Sequence, residues 1–157
     1  MRVSLTINGA TRDVEAGAGD TLLEVLRREG VMGVKKGCGT GDCGACAVLL
    51  NGRAVNSCLV LIAKCAGAEI LTVEGLARDG ELHPLQTAFL EEGAVQCGYC
   101  TPGMMMSAID LLTRNPDPTE EEIRTAISGN LCRCTGYEKQ VLAIRKAAER
   151  MRGEGDE

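Results

Sequence analysis

Lys35-Lys36-Gly37-Cys38-Gly39-Thr40-Gly41-Asp42-Cys43-Gly44-Ala45-Cys46 carries three cysteines in a glycine-rich run, and Cys58 follows after eleven intervening residues. C-x4-C-x2-C with a distant fourth cysteine is the spacing of a plant-type 2Fe–2S site. Such a site needs a loop that presents three thiolates to one small inorganic rhomb. The interleaved glycines let the backbone come close, so that amides can turn toward sulfur. Structural zinc also takes four thiolates, but usually as two short pairs, and this triplet is not that pattern.

Working outward, Cys97, Cys100, Cys132 and Cys134 form a second group, spaced C-x2-C-x31-C-x-C. Spacing alone leaves three readings open here: a 2Fe–2S cluster, a zinc site or a redox dithiol. No βαβ pattern surrounds Cys97–Cys100, which argues against a thioredoxin-like motif. Each pair falls in the link between two expected helices, so packed helix hairpins would bring the pairs face to face.

Composition narrows the function classes. The chain has 157 residues, 45% of them hydrophobic and 25% charged, the balance of a folded globular protein with one ordinary domain or two very small ones. Its aromatic side chains are Phe89, Tyr99 and Tyr137, too few for a base-stacking platform. A net charge of −5 argues against a phosphate-binding face. No apolar run approaches the ~20 residues of a membrane span. The N-terminus alternates like a strand and is not read as a secretory signal, which implies a cytoplasmic chain. In that compartment nine cysteines point to metal rather than disulfides.

Charge is uneven along the chain. Residues 1–78 carry 9 basic and 8 acidic side chains, and residues 79–157 carry 8 and 14. The change falls in the polar stretch 76–84, broken by Gly80 and Pro84, which sets expected domains at 1–76 and 84–157. The first half reads as mixed α and β. Strands are expected at 3–7, 11–15, 45–51 and 69–73, with a capped helix from Thr21 to about Glu29 and a short helix over 57–65. The second half reads as four helices: from Pro84, from Pro102, from Thr119 with its capping box, and from Thr135 with a similar box. The tail 153–157 is expected to fray. Domains this small bury little apolar surface and often need a staple, which metal–thiolate bonds would supply.

Gln96-Cys97-Gly98-Tyr99-Cys100-Thr101-Pro102-Gly103 and Gly129-Asn130-Leu131-Cys132-Arg133-Cys134-Thr135-Gly136-Tyr137 resemble paired signatures of one family. That family is the 2Fe–2S small subunit of the molybdenum hydroxylases (xanthine dehydrogenase and aldehyde oxidoreductase family). Gly41-Asp42-Cys43-Gly44-Ala45-Cys46 resembles its N-terminal motif, and the likeness runs from about residue 2 to 150. Ala47 and Tyr99 depart from its commonest residues, Thr and Phe.

The resemblance implies an α+β chain: an N-terminal β-grasp, plant-ferredoxin-like domain followed by an all-α four-helix domain. It implies two 2Fe–2S clusters, one on Cys38, Cys43, Cys46 and Cys58, the other on Cys97, Cys100, Cys132 and Cys134. It further implies an electron-transfer subunit with no catalytic site of its own. A large subunit would hold the molybdenum–pterin cofactor, approached by Gln96 and Cys134, and a medium subunit would hold FAD. The complex would hydroxylate an N-heterocycle or an aldehyde. A free-standing two-cluster ferredoxin or redox regulator is the alternative.

Other residues have plainer readings. His83 suits a surface or helix-start position. Cys65 suits a buried apolar thiol. Met104-Met105-Met106 suits helix core, Tyr99 and Tyr137 suit packing around the second group, and Lys35-Lys36 suits a solvated pair. Exposed apolar patches are expected if two partners dock.

Overall fold

The computed structural model describes residues 1–153. Strand β1 (Arg2–Ile7) and strand β2 (Ala10–Glu15) form an antiparallel hairpin. Asn8 and Gly9 turn it, both at positive φ, as a two-residue hairpin loop requires. Val3, Leu5 and Ile7 are buried on one face. Helix α1 (Leu22–Arg28) begins at the expected capping box: the Thr21 hydroxyl accepts from the Glu24 amide at 3.2 Å, and the Glu24 carboxylate accepts from the Thr21 amide at 2.9 Å.

Strands β3 (Ala47–Leu50), β4 (Arg53–Asn56) and β5 (Glu69–Leu71) complete a five-stranded sheet in the order β2-β1-β5-β3-β4. The β1–β5 pair is parallel and the others antiparallel. Strand β4 was not anticipated. It returns from the Asn51-Gly52 turn and pairs along all of β3.

The helix expected over 57–65 is instead two 3₁₀ turns, Ser57–Leu59 and Ile62–Lys64. The stretch between them is pulled straight by pairing at the start of α1. Leu22 N donates to Val60 O at 2.7 Å and Ile62 N to Asp20 O at 3.0 Å. Cys65 therefore does not share a helix face with Cys58. It is fully buried, and burial pushes its thiol pKa up.

Four helices follow: α2 (Pro84–Glu91), α3 (Thr101–Arg114), α4 (Glu120–Ile127) and α5 (Glu138–Gly153). His83 caps α2: its Nδ1 accepts from Leu85 N at 3.1 Å, and Gln86 Oε1 accepts from His83 N at 3.0 Å. Thr119 caps α4 through the expected box. Thr135 does not cap α5. Tyr137 sits at φ 68°, so the helix begins only at Glu138, and the Thr135 hydroxyl turns to Cys132. Gly153 is the last residue of α5, and the rest of the tail expected to fray lies outside the described residues.

Two apolar cores share the sheet. Val48 belongs to the core under α1 with Leu5, Leu26 and Ile70. Its neighbours Ala47 and Leu49 point the other way and join Leu85, Phe89, Met104 and Ile144 among the helices. The sheet is thus a common wall, which brings the cysteine loop before β3 up against the helices. No helix among the described residues is long and apolar enough to cross a membrane.

Candidate metal centres

The first four thiols meet at one end of the sheet. Cys46 lies just before β3, and Cys58 lies in the 3₁₀ turn after β4. Ser57 holds that turn in place, since its amide and hydroxyl both donate to Cys46 O, at 3.4 and 2.7 Å. Asn56 Nδ2 ties β4 to the loop at Gly41 O, 2.9 Å away.

The loop aims its amides at sulfur. Thr40 N, Asp42 N and Cys43 N approach Cys38 Sγ at 3.4, 3.3 and 3.4 Å, and Cys38 N approaches Cys43 Sγ at 3.4 Å. The Thr40 side chain and amide and the Cys43 amide hold the Cys38 thiol down at about 6. Burial, with Cys46 beside it, pushes Cys58 up to about 11. Gly37 has no room for a side chain: a Cβ there would lie 2.6 Å from Cys43 Sγ.

The second four thiols are gathered from two links. Cys97 and Cys100 lie between α2 and α3, and Cys132 and Cys134 lie between α4 and α5. The structure pairs them crosswise. The Cys100 thiol stands beside Cys132, and Cys97 beside Cys134. Burial and then the Cys132 neighbour push Cys100 up to about 11, and the Cys97 thiol raises Cys134. Burial pushes Cys132 up too, but the Thr135 hydroxyl at 3.0 Å and amide at 3.4 Å, with the Cys134 amide, outweigh it and leave that thiol lowered. Tyr137 does more than pack. Its hydroxyl accepts from Cys132 N at 2.8 Å and donates to Asn130 O at 3.0 Å, which fixes the Cys132 turn.

In both groups the thiols fall into pairs, Cys46 with Cys58 and Cys38 with Cys43, Cys100 with Cys132 and Cys97 with Cys134. Paired thiols, two to an iron, and amides directed at sulfur suit a 2Fe–2S rhomb.

The two loops also touch each other. Leu131 N donates to Cys43 O at 2.9 Å, and Asn130 Nδ2 donates to Gly44 O at 3.1 Å. Glycine makes the approach possible. A Cβ at Gly44 (φ 70°) would lie 2.3 Å from Gly129 O, and one at Gly103 would lie 2.2 Å from Gly44 O. The Tyr99 hydroxyl crosses to Lys36 O. Asp110 on α3, largely buried, pairs with Arg114 at 3.0 Å and with Arg53 on β4 at 3.2 Å. Sequence reading missed Asn130 and the Tyr99 crossing. No spacing rule signals a bond whose partner lies more than sixty residues away.

Cys38, Cys97, Cys134 and Gln96 are exposed. Apolar side chains stand exposed beside both groups: Leu59 after Cys58, and Val95, Tyr99 and Leu131 around the second group. Met104, Met105 and Met106 are buried helix core, as expected.

Residues 5–70 match the sequence family described as "2Fe-2S iron-sulfur cluster binding domain", and residues 72–145 match a second, described as a 2Fe-2S binding domain. The chain is 51% identical over 151 residues to the nicotinate dehydrogenase small FeS subunit of Eubacterium barkeri, covering 96% of each chain. It is 49% identical over 148 residues to the nicotine 6-hydroxylase small subunit of Paenarthrobacter nicotinovorans, covering 94% of this chain and 89% of that one. Among solved structures it superposes on a chain of quinoline 2-oxidoreductase from Pseudomonas putida 86 with a TM-score of 0.94 and 44% identity, covering 98% of this chain and 96% of that chain.

Proposed function

The chain belongs to the two-cluster iron–sulfur small subunits of the molybdenum hydroxylase family, and on that premise we propose that it relays single electrons from the molybdenum–pterin site of a large partner subunit to an FAD-binding subunit or another acceptor. The observation that carries this reading is the pair of four-thiol cages whose loops meet backbone to backbone.

In this reading residues 1–76 hold one 2Fe–2S cluster on Cys38, Cys43, Cys46 and Cys58. Residues 84–157 hold the other on Cys97, Cys100, Cys132 and Cys134. When bound, each cluster takes up and releases one electron at a time. The amides around Cys38 and Cys132 hold thiolate charge and tune the potential through hydrogen bonds to sulfur. The Leu131 amide on the Cys43 carbonyl joins the ligand Cys43 to the residue before the ligand Cys132 by one hydrogen bond. Gln96 and Cys134, both exposed, face the pterin of the large subunit, and the exposed Cys38 loop faces the acceptor. This chain contributes no acid, base or nucleophile. The complex resides in the cytoplasm.

The small-subunit relatives at 51% and 49% identity bear the names of enzymes of nicotinate and nicotine, and the structural relative at 44% that of an enzyme of quinoline, whereas the small-subunit relative named for aldehyde oxidoreductase is 42% identical. An N-heterocycle is therefore favoured over an aldehyde as the substrate of the complex. A free-standing ferredoxin is disfavoured by the apolar side chains left exposed around both cages.

The test is anaerobic purification, assay of iron, zinc and acid-labile sulfide, and EPR after dithionite reduction. About four irons per chain and two distinct 2Fe–2S signals are expected. Co-purification with a molybdenum-containing subunit is expected from the native source. Zinc without sulfide, or iron at only one site, overturns the reading.

A further inference from the structure

Tyr99 lies between Gly98 and Cys100, so its ring belongs covalently to the second cage, yet its hydroxyl donates to the carbonyl of Lys36 in the loop of the first. We propose that Tyr99 is a positioning residue for the first cluster, set from across the domain boundary. The proposal rests on the two-cluster reading above and adds a role that spacing and ligand identity do not assign.

Peptide planarity carries the argument. The Lys36 carbonyl and the Gly37 nitrogen share one rigid plane, so a bond to the carbonyl orients both. That plane abuts the cage: a Cβ at Gly37 would lie 2.6 Å from Cys43 Sγ. The next amide, Cys38 N, donates to Cys43 Sγ at 3.4 Å. The hydrogen bonds at Cys38, Thr40 and Asp42 stay within the loop. The far end of the loop is held to the helical half through Leu131 N and Asn130 Nδ2 at Cys43 O and Gly44 O. Tyr99 ties down the near end, which carries the exposed Cys38. A Phe at position 99 keeps the ring but loses this bond.

The test compares the intact chain with Y99F, after iron, sulfide and EPR have established two clusters in both. Chelator-driven loss of the first cluster is expected to be about fivefold faster in Y99F, the factor that one net hydrogen bond of about 1 kcal/mol supplies. The first cluster's midpoint potential is expected to move negative, because weaker amide bonds to sulfur stabilise added charge less. The second cluster's loss rate, potential and EPR signal are expected to stay unchanged. Incorporating 4-aminophenylalanine at position 99 restores a donor and is expected to return the first cluster to wild-type behaviour.

Equal effects on both clusters, loss of both, or no selective change overturns the proposal, as does failure of the donor to rescue. A wild-type chain without two clusters overturns the underlying reading instead. Two clusters with an indifferent Y99F overturn Tyr99 alone.

Discussion

The first cage draws three of its four cysteines from nine consecutive residues, whereas the second gathers two pairs separated by thirty-one residues. The first is a loop that folds back on itself, with backbone amides on its own Cys38 sulfur. The second exists only once the α2–α3 link and the α4–α5 link are brought together, by α2 packing on α5 and α3 on α4, and each link delivers one pair. Both nevertheless arrive at the same electrostatic pattern. Each has one thiol held down by hydrogen bonds, Cys38 or Cys132, and one pushed up to about 11, chiefly by burial, Cys58 or Cys100. A local cage and an assembled cage thus differ in what else depends on them. Closing the longer interval constrains the unfolded chain more, so the second cluster should double as a staple.

The largest test of that difference is ligand removal. Cys100→Ser should abolish the second cluster and lower the stability of the helical half by on the order of 3 kcal/mol or more. Cys43→Ser should abolish the first cluster while leaving most of the helical half's stability in place. Iron content should fall by about half in each, because each cluster holds two irons. Thermal melting followed by circular dichroism separates the two. Equal melting shifts would break the contrast.

Alkylation of the metal-free chain is the next. Cys38, exposed and held at about 6, is mostly thiolate at neutral pH, whereas Cys58 and Cys100 at about 11 stay protonated. Iodoacetamide should modify Cys38 ahead of those two by roughly fiftyfold or more, because thiolate fraction outweighs the lower nucleophilicity of a more acidic thiol. Peptide mapping checks the order. The sign for metal follows: Cys58 and Cys100 must lose protons on binding, so affinity for iron in both cages should rise with pH from neutrality toward about 11.

The seam between the cages offers a smaller effect that should strike both together. Gly103→Ala puts a methyl 2.2 Å from Gly44 O, against backbone that cannot rotate away. A cost of about 1–3 kcal/mol is expected, with a weaker magnetic interaction between the reduced clusters. Melting and EPR check it, and loss of only one cluster would show the cages to be independent. The smallest effect belongs to Arg53→Ala. Its side chain is 66% exposed and Asp110 keeps Arg114, so less than about 1 kcal/mol should be lost.

The ease of reading followed the range of the interactions. The β1–β2 hairpin was legible because Asn8-Gly9 states a turn within two residues. The starts of α1 and α4 were legible because a capping box spans only four. The helix expected over 57–65 failed because pairing with 20–22, some forty residues earlier, outweighs local helix preference. The Thr135 box failed because Tyr137 takes a left-handed φ of 68°, which keeps it out of the helix and delays the start to Glu138. His83 as a helix-start residue and the buried Cys65 thiol agreed with their plain readings.

By itself the sequence determined the two cysteine groups, the glycine-rich loop, the helix starts and the family, because ligand spacing and capping act over a few residues. Tertiary structure decided which thiols pair in the second group, that Ala47 and Leu49 serve the helical core, and that Tyr99, Asn130 and Leu131 bind the first loop. Those contacts join segments more than thirty residues apart. Only the packing of helices against the shared sheet brings them within reach.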